Sequence, residues 1–344
     1  MTDINAQQEL KAPRRIGVLG AGGQLGRCLV RQIEAAPDLA LTFATTRKEI
    51  DLSQSESLAS EIEALLEGSE GGVPEIVINA AAYTKVDLCE SEVELAYQTN
   101  ALAPAEWSRQ LAAREIRFIH VSTDYVFAGD GVRAYREGDP TDPRTVYGAS
   151  KRAGEVAVLG NDPNALVVRT SWVFGPGRNF VIAILEQAQK RLTGEAEGPL
   201  RVVDDQQGCP TSAEDLAFAL LAIARQERRE WGGGLLHLCN AGVTTWFAFA
   251  REILDQAGFS EIEIDPVASS AFETAAKRPA FSVLDCTWAV GKGISMPPWK
   301  DALSRYLAGP DRPQWLAPSA PSQPTTDSSS PTHPQSSPRE EVSR

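Results

Sequence analysis

The sequence predicts an α/β fold, a doubly wound parallel sheet with a smaller C-terminal substrate-binding domain. Three observations carry this expectation. A short apolar run leads through a glycine-rich turn into an amphipathic stretch near the N-terminus, short apolar runs then alternate with helical ones, and the rhythm loosens after Gly175.

Residues Arg15 to Leu19 read as a buried strand, Gly20 to Gly26 as a tight turn, and Arg27 to Ala35 as an amphipathic helix. Leu41 to Ala44, Glu75 to Ala81, Arg117 to Ser122 and Leu166 to Thr170 are further strands, separated by helical stretches such as Ser55 to Leu66. Strands that are apolar throughout, joined by helices, belong to a parallel sheet covered on both faces. Beyond Gly175 come an amphipathic segment Phe180 to Lys190, a strand-like Leu200 to Val203, and a helix Ala213 to Arg225 with Thr211 and Glu214 as its capping box. Another helix runs from near Thr245 to about Ala257. This pattern divides the chain into a dinucleotide-binding domain over 14–175, with parts of 205–240 returning to it, and substrate-binding parts over 176–204 and 241–312. The polar start, 1–13, and the tail from Pro313, rich in Pro, Ser, Thr and Gln, have too little apolar surface to order themselves and are expected to be disordered.

With 344 residues and 42% hydrophobic side chains the chain is long enough for one or two cores. Its net charge of −13 argues against a nucleic-acid partner, whose backbone demands basic surface. The five cysteines have no paired spacing, which fits a reducing compartment rather than a disulfide scaffold. No apolar run reaches the roughly 20 residues of a membrane helix, so a cytoplasmic protein without membrane contact is expected. Only three histidines occur, none at ligand spacing from a second His or Cys, which speaks against catalytic zinc and against a Ser–His hydrolase; no metal is expected. His120, inside the apolar run Phe118 to Val121, reads as a hydrogen-bonded core histidine.

The turn G-A-G-G-Q-L-G sets Gly20, Gly23 and Gly26 three residues apart between strand and helix, with Gln24 and Leu25 inside it. Glycines allow close backbone approach, and the helix start offers unpaired amides to a pyrophosphate, as in Rossmann dinucleotide sites. The second strand ends in Thr45, Thr46 and Arg47, with no acidic residue at its tip. A guanidinium there suits a 2′-phosphate and points to NADPH, with NADH possible and with a solvated surface charge as the alternative reading of Arg47. Asp51 and Leu52 are placed to line the adenine.

Y-G-A-S-K places Tyr147 and Lys151 four residues apart, on one helix face. An ammonium beside a phenol favours the phenolate and brings it toward a useful acid–base range, so Tyr147 can protonate an oxygen as hydride reaches its carbon. Ser122 and Thr123 close the strand Phe118 to Val121, at the sheet edge where doubly wound folds hold ligands, and supply a third hydroxyl, with a strand-end cap for Tyr125 or Val126 as the alternative reading.

The ordered set G-A-G-G-Q-L-G, N-A-A-A-Y-T-K-V-D, V-S-T-D-Y-V-F, V-Y-G-A-S-K-R-A-G-E, R-T-S-W-V-F-G, D-Q-Q-G-C-P-T and T-T-W, spanning Arg15 to Leu307, closely resembles the dTDP-4-dehydrorhamnose reductases of the extended short-chain dehydrogenase superfamily. The resemblance implies NADPH-dependent reduction of the 4-keto group of dTDP-4-dehydro-L-rhamnose. It makes Tyr147 the proton donor, Lys151 the residue that holds the nicotinamide ribose and tunes Tyr147, and Thr123 a hydrogen-bond partner of the reacting oxygen. It implies that Asn79, Ala80, Ala81, Ala82 and Asn100 line the cofactor, and that Val86, Asp124, Tyr125 and Trp172 border a small-molecule nucleotide sugar. Cys89 departs from the pattern, standing where the family commonly has alanine. Two alternatives stay open: another 4-keto-6-deoxy nucleotide sugar as substrate, or a non-catalytic dinucleotide-binding subunit resembling the regulatory subunit of methionine adenosyltransferase. The oligomer is expected to be a monomer or homodimer.

Overall fold

The computed structural model describes residues 12–69 and 71–316, with backbone alone at 228 and 229. The segments 1–11 and 317–344, most of the expected disordered ends, lie outside the described residues. Five strands, β1 (Arg14–Leu19), β2 (Leu39–Thr45), β3 (Ile76–Asn79), β4 (Arg117–Thr123) and β5 (Leu166–Thr170), join a sixth, Gly234–His237, in one sheet. The order is sixth–β5–β4–β3–β1–β2, and every neighbouring pair is parallel. The order in which successive strands are added reverses between β1 and β3, all strands remaining parallel, which opens a crevice at the C-terminal ends of those strands.

Strand alternation sorts the apolar residues into two layers. Ile76 and Ile78 of β3 face a core shared with α1 (Gln24–Glu34) and the helix Ala213–Arg225, through Leu29, Ile33, Leu216 and Leu220. Val77 faces the other way, against α2 (Ser55–Gly68) and the helices Ala103–Ala113 and Val146–Asn161, through Ile62, Trp107 and Val158. A separate core joins the helices Phe180–Leu192, Trp246–Gln256 and Trp299–Ala308 with the strand Leu200–Val203.

Four expectations are corrected. The first helix begins at Gln24 rather than Arg27, so Gln24, Leu25 and Gly26 form its first turn. Ser212 rather than Thr211 caps the helix Ala213–Arg225 and makes no side-chain cap bond. Glu214 turns instead to α1, accepting from Arg31 and from Gln32 Nε2 at 2.8 Å, because a cation offers a carboxylate more than its own helix amides do. Ala289, Ile294 and Met296, inside the stretch expected to serve substrate, pack into the first sheet core. Leu316 is 6% exposed and packs into the separate core, so the tail boundary at Pro313 was set too early. A chain ending at Leu316 should therefore keep its melting temperature and kcat. One ending at Pro313 should lose about 1.5–3 kcal/mol of stability in denaturant unfolding, the cost of stripping one buried leucine. Equal stability of the two would show that Leu316 contributes nothing.

Candidate active site

The crevice between β1 and β3 holds a cleft of about 460 Å³ lined by Gly20, Gly23, Thr46, Arg47, Asp51 and Ala81, among others. Its geometry suits a dinucleotide. Gly20 has φ +78°, and a Cβ there would lie 2.6 Å from the Ala81 nitrogen; a Cβ at Gly26 would lie 2.1 Å from the Gly20 carbonyl oxygen. Only glycine allows both the turn and the seating of α1 on it. Gly23 caps α1 without a side chain, and no acidic residue stands in its first turn, so its amides are available to a pyrophosphate. Gln24, Leu25 and Gly26 do not line the cleft with side chains, and Leu25 packs into the sheet core.

At the ribose end, the Arg47 side chain is 74% exposed and its Nε donates to Asp51 Oδ2 at 3.2 Å. Asp51 also accepts from the Ser53 amide and hydroxyl, which with Arg47 hold its carboxyl below the ordinary range despite the opposing effect of burial. Leu52 is buried and lines the same cleft. An acidic group does stand beyond the tip of β2: Glu49 folds back to accept from the Thr46 amide at 2.8 Å. Ala80, Ala81 and Ala82 line the cleft, whereas Asn79 and Asn100 lie beneath its wall. Asn79 Oδ1 accepts from the Ala81 amide at 2.9 Å. Asn100 holds Tyr83 by both backbone groups, at 2.8 Å and 3.1 Å, and donates to Ser150 at 3.0 Å. Both asparagines thus shape the wall of the cleft.

Tyr147 and Lys151 face one side of the helix Val146–Asn161, started by Thr145, whose hydroxyl accepts from the Gly148 amide at 3.0 Å. Tyr147 packs with Val86, Cys89 and Ala96, and meets Tyr125 edge to face at 5.6 Å between ring centroids. Tyr83, from the cofactor cleft, and Tyr125, from a second and larger cleft, both pack against this group. Burial holds the phenol above its ordinary value, with the Thr123 hydroxyl pulling the other way, so the resting site holds a protonated donor. Thr123 Oγ1 donates to Asp124 Oδ1 at 2.9 Å. Asp124 is buried, and burial pushes its carboxyl up to about 7 against the Ser282 and Thr123 hydroxyls, which pull it down. Lys151 donates from Nζ to the Val121 carbonyl at 2.7 Å, and burial lowers its ammonium to about 8.

Ser122 does not join this group. The alternation of β4 turns it to the opposite side, where it donates to Glu155 Oε1 at 2.7 Å. Glu155 is fully buried and takes Arg169 in a two-point pair, at 2.8 Å and 2.7 Å. This ion pair fastens the helix Val146–Asn161 to β5.

The larger cleft, about 1210 Å³, is lined by Tyr125, Arg144, Phe180, Arg201, Trp246, Lys277 and Arg278 among others. Four cationic side chains against Asp130 and Glu273 make it locally basic in a chain of net charge −13, which suits an anionic ligand. Arg278 is held by Asp87, of the N-A-A-A-Y-T-K-V-D run, at 2.6 Å and 3.1 Å. Trp172 already has a stacked partner within the protein. Trp246 covers one face at 3.5 Å between centroids and 7°, and Gly208 lies so close to the indole that a Cβ there would fall 2.4 Å from it. Trp172 also has φ +46°, a left-handed backbone for a bulky residue. Trp246 is the indole that lines the cleft. The arrangement explains two motifs: Gln207–Gly208 pairs antiparallel with Thr244–Thr245, setting Trp246 over Trp172. Trp246→Leu is therefore expected to raise the substrate KM, while Trp172→Phe should lower the melting temperature as well; a Trp172→Phe protein of unchanged stability with raised KM would restore the direct-contact reading.

Trp246, Arg278 and Asp87 were not singled out in the sequence. The motifs containing Trp246 and Asp87 were visible, but their meeting with residues far along the chain was not. Among the described residues Cys28, Glu214 and Asp311 bring ligand atoms within 4.8 Å of one another, yet Arg31 already donates to both carboxylates. No helix among those residues is long and apolar enough to cross a membrane.

Residues 14–310 match the family model described as the RmlD substrate binding domain. A dTDP-4-dehydrorhamnose reductase of Mycobacterium tuberculosis is 40% identical over 86% of this chain and 93% of its own. A probable dTDP-4,6-dihydroxy-2-methyloxan-3-one 4-ketoreductase of Streptomyces antibioticus is 38% identical over 83% and 92%. Among solved structures, the dTDP-4-dehydrorhamnose reductase of Bacillus anthracis, in complex with NADP, is similar with a TM-score of 0.75 and 30% identity over 86% of this chain and 99% of that one. With a glycine cradle, a buried Thr–Tyr–Lys group and a basic cleft arranged on this sheet, the chain belongs to the dTDP-4-dehydrorhamnose reductase family of oxidoreductases.

Proposed function

We propose that the protein reduces the 4-keto group of dTDP-4-dehydro-L-rhamnose to give dTDP-L-rhamnose, with NADPH as hydride donor. The observation that carries this reading is Tyr147, a protonated buried phenol packed between a dinucleotide cleft and a basic cleft. NADPH when bound supplies the hydride. Thr123 and Tyr147 orient the substrate oxygen, Tyr147 gives it the phenolic proton, and Lys151 holds the ribose and stabilises the phenolate left behind. The cationic cleft takes the diphosphate. Elements of the separate core, with Trp246 at their edge, form the substrate-binding part, and the protein works in the cytoplasm as a monomer or homodimer.

Reduction of a different 4-keto-6-deoxy nucleotide sugar is the second reading, supported by the Streptomyces relative. The non-catalytic reading is disfavoured by the intact Thr123, Tyr147 and Lys151 set. A panel of 4-keto nucleotide sugars assayed for NADPH oxidation separates the three: fastest turnover with dTDP-4-dehydro-L-rhamnose is expected, a preference for another sugar supports the second, and no turnover with any supports the last. For the cofactor, Arg47→Ala should raise the NADPH dissociation constant more than that of NADH. Equal changes would remove the basis for a 2′-phosphate at Arg47.

A further inference from the structure

Three of the five cysteines meet beside the sheet, although they lie far apart in the chain. Cys239 follows the strand Gly234–His237, Cys209 belongs to the D-Q-Q-G-C-P-T run, and Cys286 precedes the short helix Thr287–Gly291. All three are free thiols, and they share one small core with Phe127, Tyr135 and Leu284.

Cys239 stands at the centre of the group. The Cys209 and Cys286 thiols both come within hydrogen-bonding reach of its sulfur. The Ser171 hydroxyl spans the cluster, 2.8 Å from the Cys209 carbonyl oxygen and 3.4 Å from Cys239 Sγ. The Cys239 amide in turn donates to the Cys286 sulfur, which therefore lies close to the Cys239 backbone. Burial opposes charge on Cys239, yet the thiols of Cys209 and Cys286, then the hydroxyls of Ser171 and Thr211, hold its thiol well below the ordinary range. Cys209 and Cys286 are pushed the other way, because each donates to Cys239 and so keeps its proton. One thiolate thus faces two thiols, the complement that disulfide formation needs. Cys28 and Cys89 are held up by burial, which keeps them as unreactive thiols.

We propose that Cys239 and Cys286 form a reversible oxidation site whose oxidant is a small peroxide. The Cys239 thiolate attacks one peroxide oxygen, the O–O bond breaks, and hydroxide leaves a sulfenic acid on Cys239. The Cys286 thiol then attacks that sulfur, the S–O bond breaks, and the sulfenic oxygen departs as water with the Cys286 proton. The hydroxide takes up the proton that Cys239 had already released, so two thiols and one hydrogen peroxide give one disulfide and two waters. Cys286 is the partner because it is half-buried at a loop-to-helix junction and can close the gap. Cys209 is buried and followed by Pro210, and its carbonyl is held by Ser171 and by Thr211 at 3.2 Å. Cys239 is 4% exposed, which favours a molecule as small as hydrogen peroxide over a bulky oxidant. The bond fastens the segment 281–286 to the sheet. That segment already runs beside the larger cleft, where the Phe281 amide donates to the Gly129 carbonyl at 2.9 Å and the Ser282 amide to the Gln207 carbonyl at 2.8 Å.

The test uses the full chain, reduced, freed of reductant and exposed to a small excess of hydrogen peroxide. Thiol titration after denaturation should show the loss of two of the five thiols per chain, and dithiothreitol should restore them. An unreduced digest should contain the peptides of Cys239 and Cys286 joined. Cys239→Ser should lose no pair of thiols under the same exposure, and Cys286→Ser should hold Cys239 as a sulfenic acid that dimedone traps. The readout counts thiols rather than turnover, so it is independent of which sugar the protein reduces. An unchanged thiol count, a disulfide that omits Cys239 or Cys286, a bond between two chains on a nonreducing gel, or equal thiol loss in Cys239→Ser overturns the proposal; if neither variant folds, the joined peptides of the unaltered chain decide.

Discussion

Replacing Tyr147 by Phe should lower kcat by about 10²–10⁴-fold, the usual contribution of a positioned general acid, while the NADPH dissociation constant moves little. The phenol is buried and protonated, and its ring is held between Val86, Cys89 and Tyr125, so removing one oxygen leaves the packing intact. Lys151→Met differs in kind. It should lower kcat and also weaken NADPH, because in the proposed mechanism the Lys151 side chain, anchored at the Val121 carbonyl, holds the ribose and supports the phenolate. Retention by Tyr147→Phe of more than about a tenth of kcat, with chemistry limiting, would pass the proton to Thr123 or water.

The largest expected stability effect lies outside the reacting groups. Glu155→Leu should cost about 3–5 kcal/mol, because it leaves a buried guanidinium without its counter-charge. Arg169 is 1% exposed, and its other neighbours are weak substitutes: the Glu137 carbonyl at 3.4 Å, His237 Nε2 at 3.5 Å and the face of Phe127 at 4.9 Å. Denaturant unfolding reads the loss directly. A change below about 1 kcal/mol would put the pair on the level of a surface salt bridge and undo its assignment as the fastening between the helix Val146–Asn161 and β5.

Local grammar made the sheet legible. Apolar runs bounded by turn residues marked β1 to β5, and a glycine turn followed by an amphipathic run marked the cofactor crevice. The placement of Tyr147 and Lys151 on one helix and of Thr123 at a strand end was likewise readable, because spacing along the chain sets it without reference to distant residues. What failed was pairwise. Thr211 and Glu214 satisfy a local capping pattern, but Arg31, far earlier in the chain, takes the carboxylate. Trp172 sits in a motif that the resemblance sets beside the nucleotide sugar, and its stacking on Trp246, far along the chain, was not visible in the sequence. The hydrogen bonds of Asn79 to Ala81 and of Asn100 to Tyr83 and Ser150, which shape the cleft wall, were likewise invisible in the sequence. His120 was read as a core residue, which its burial bears out; its contact with Asn79 follows from the register of β3 on β4, and its approach to Lys151 from the seating of the helix Val146–Asn161 on β4.

The most direct measurement is a turnover with NADPH deuterated at the transferred C4 position, followed by identification of the nucleotide-sugar product. One deuterium at C4 of dTDP-L-rhamnose, with one NADPH oxidised per sugar and with the rate collapsing in Tyr147→Phe, is the predicted result. Deuterium at another carbon, or cofactor binding without any transfer to the sugar, would contradict it.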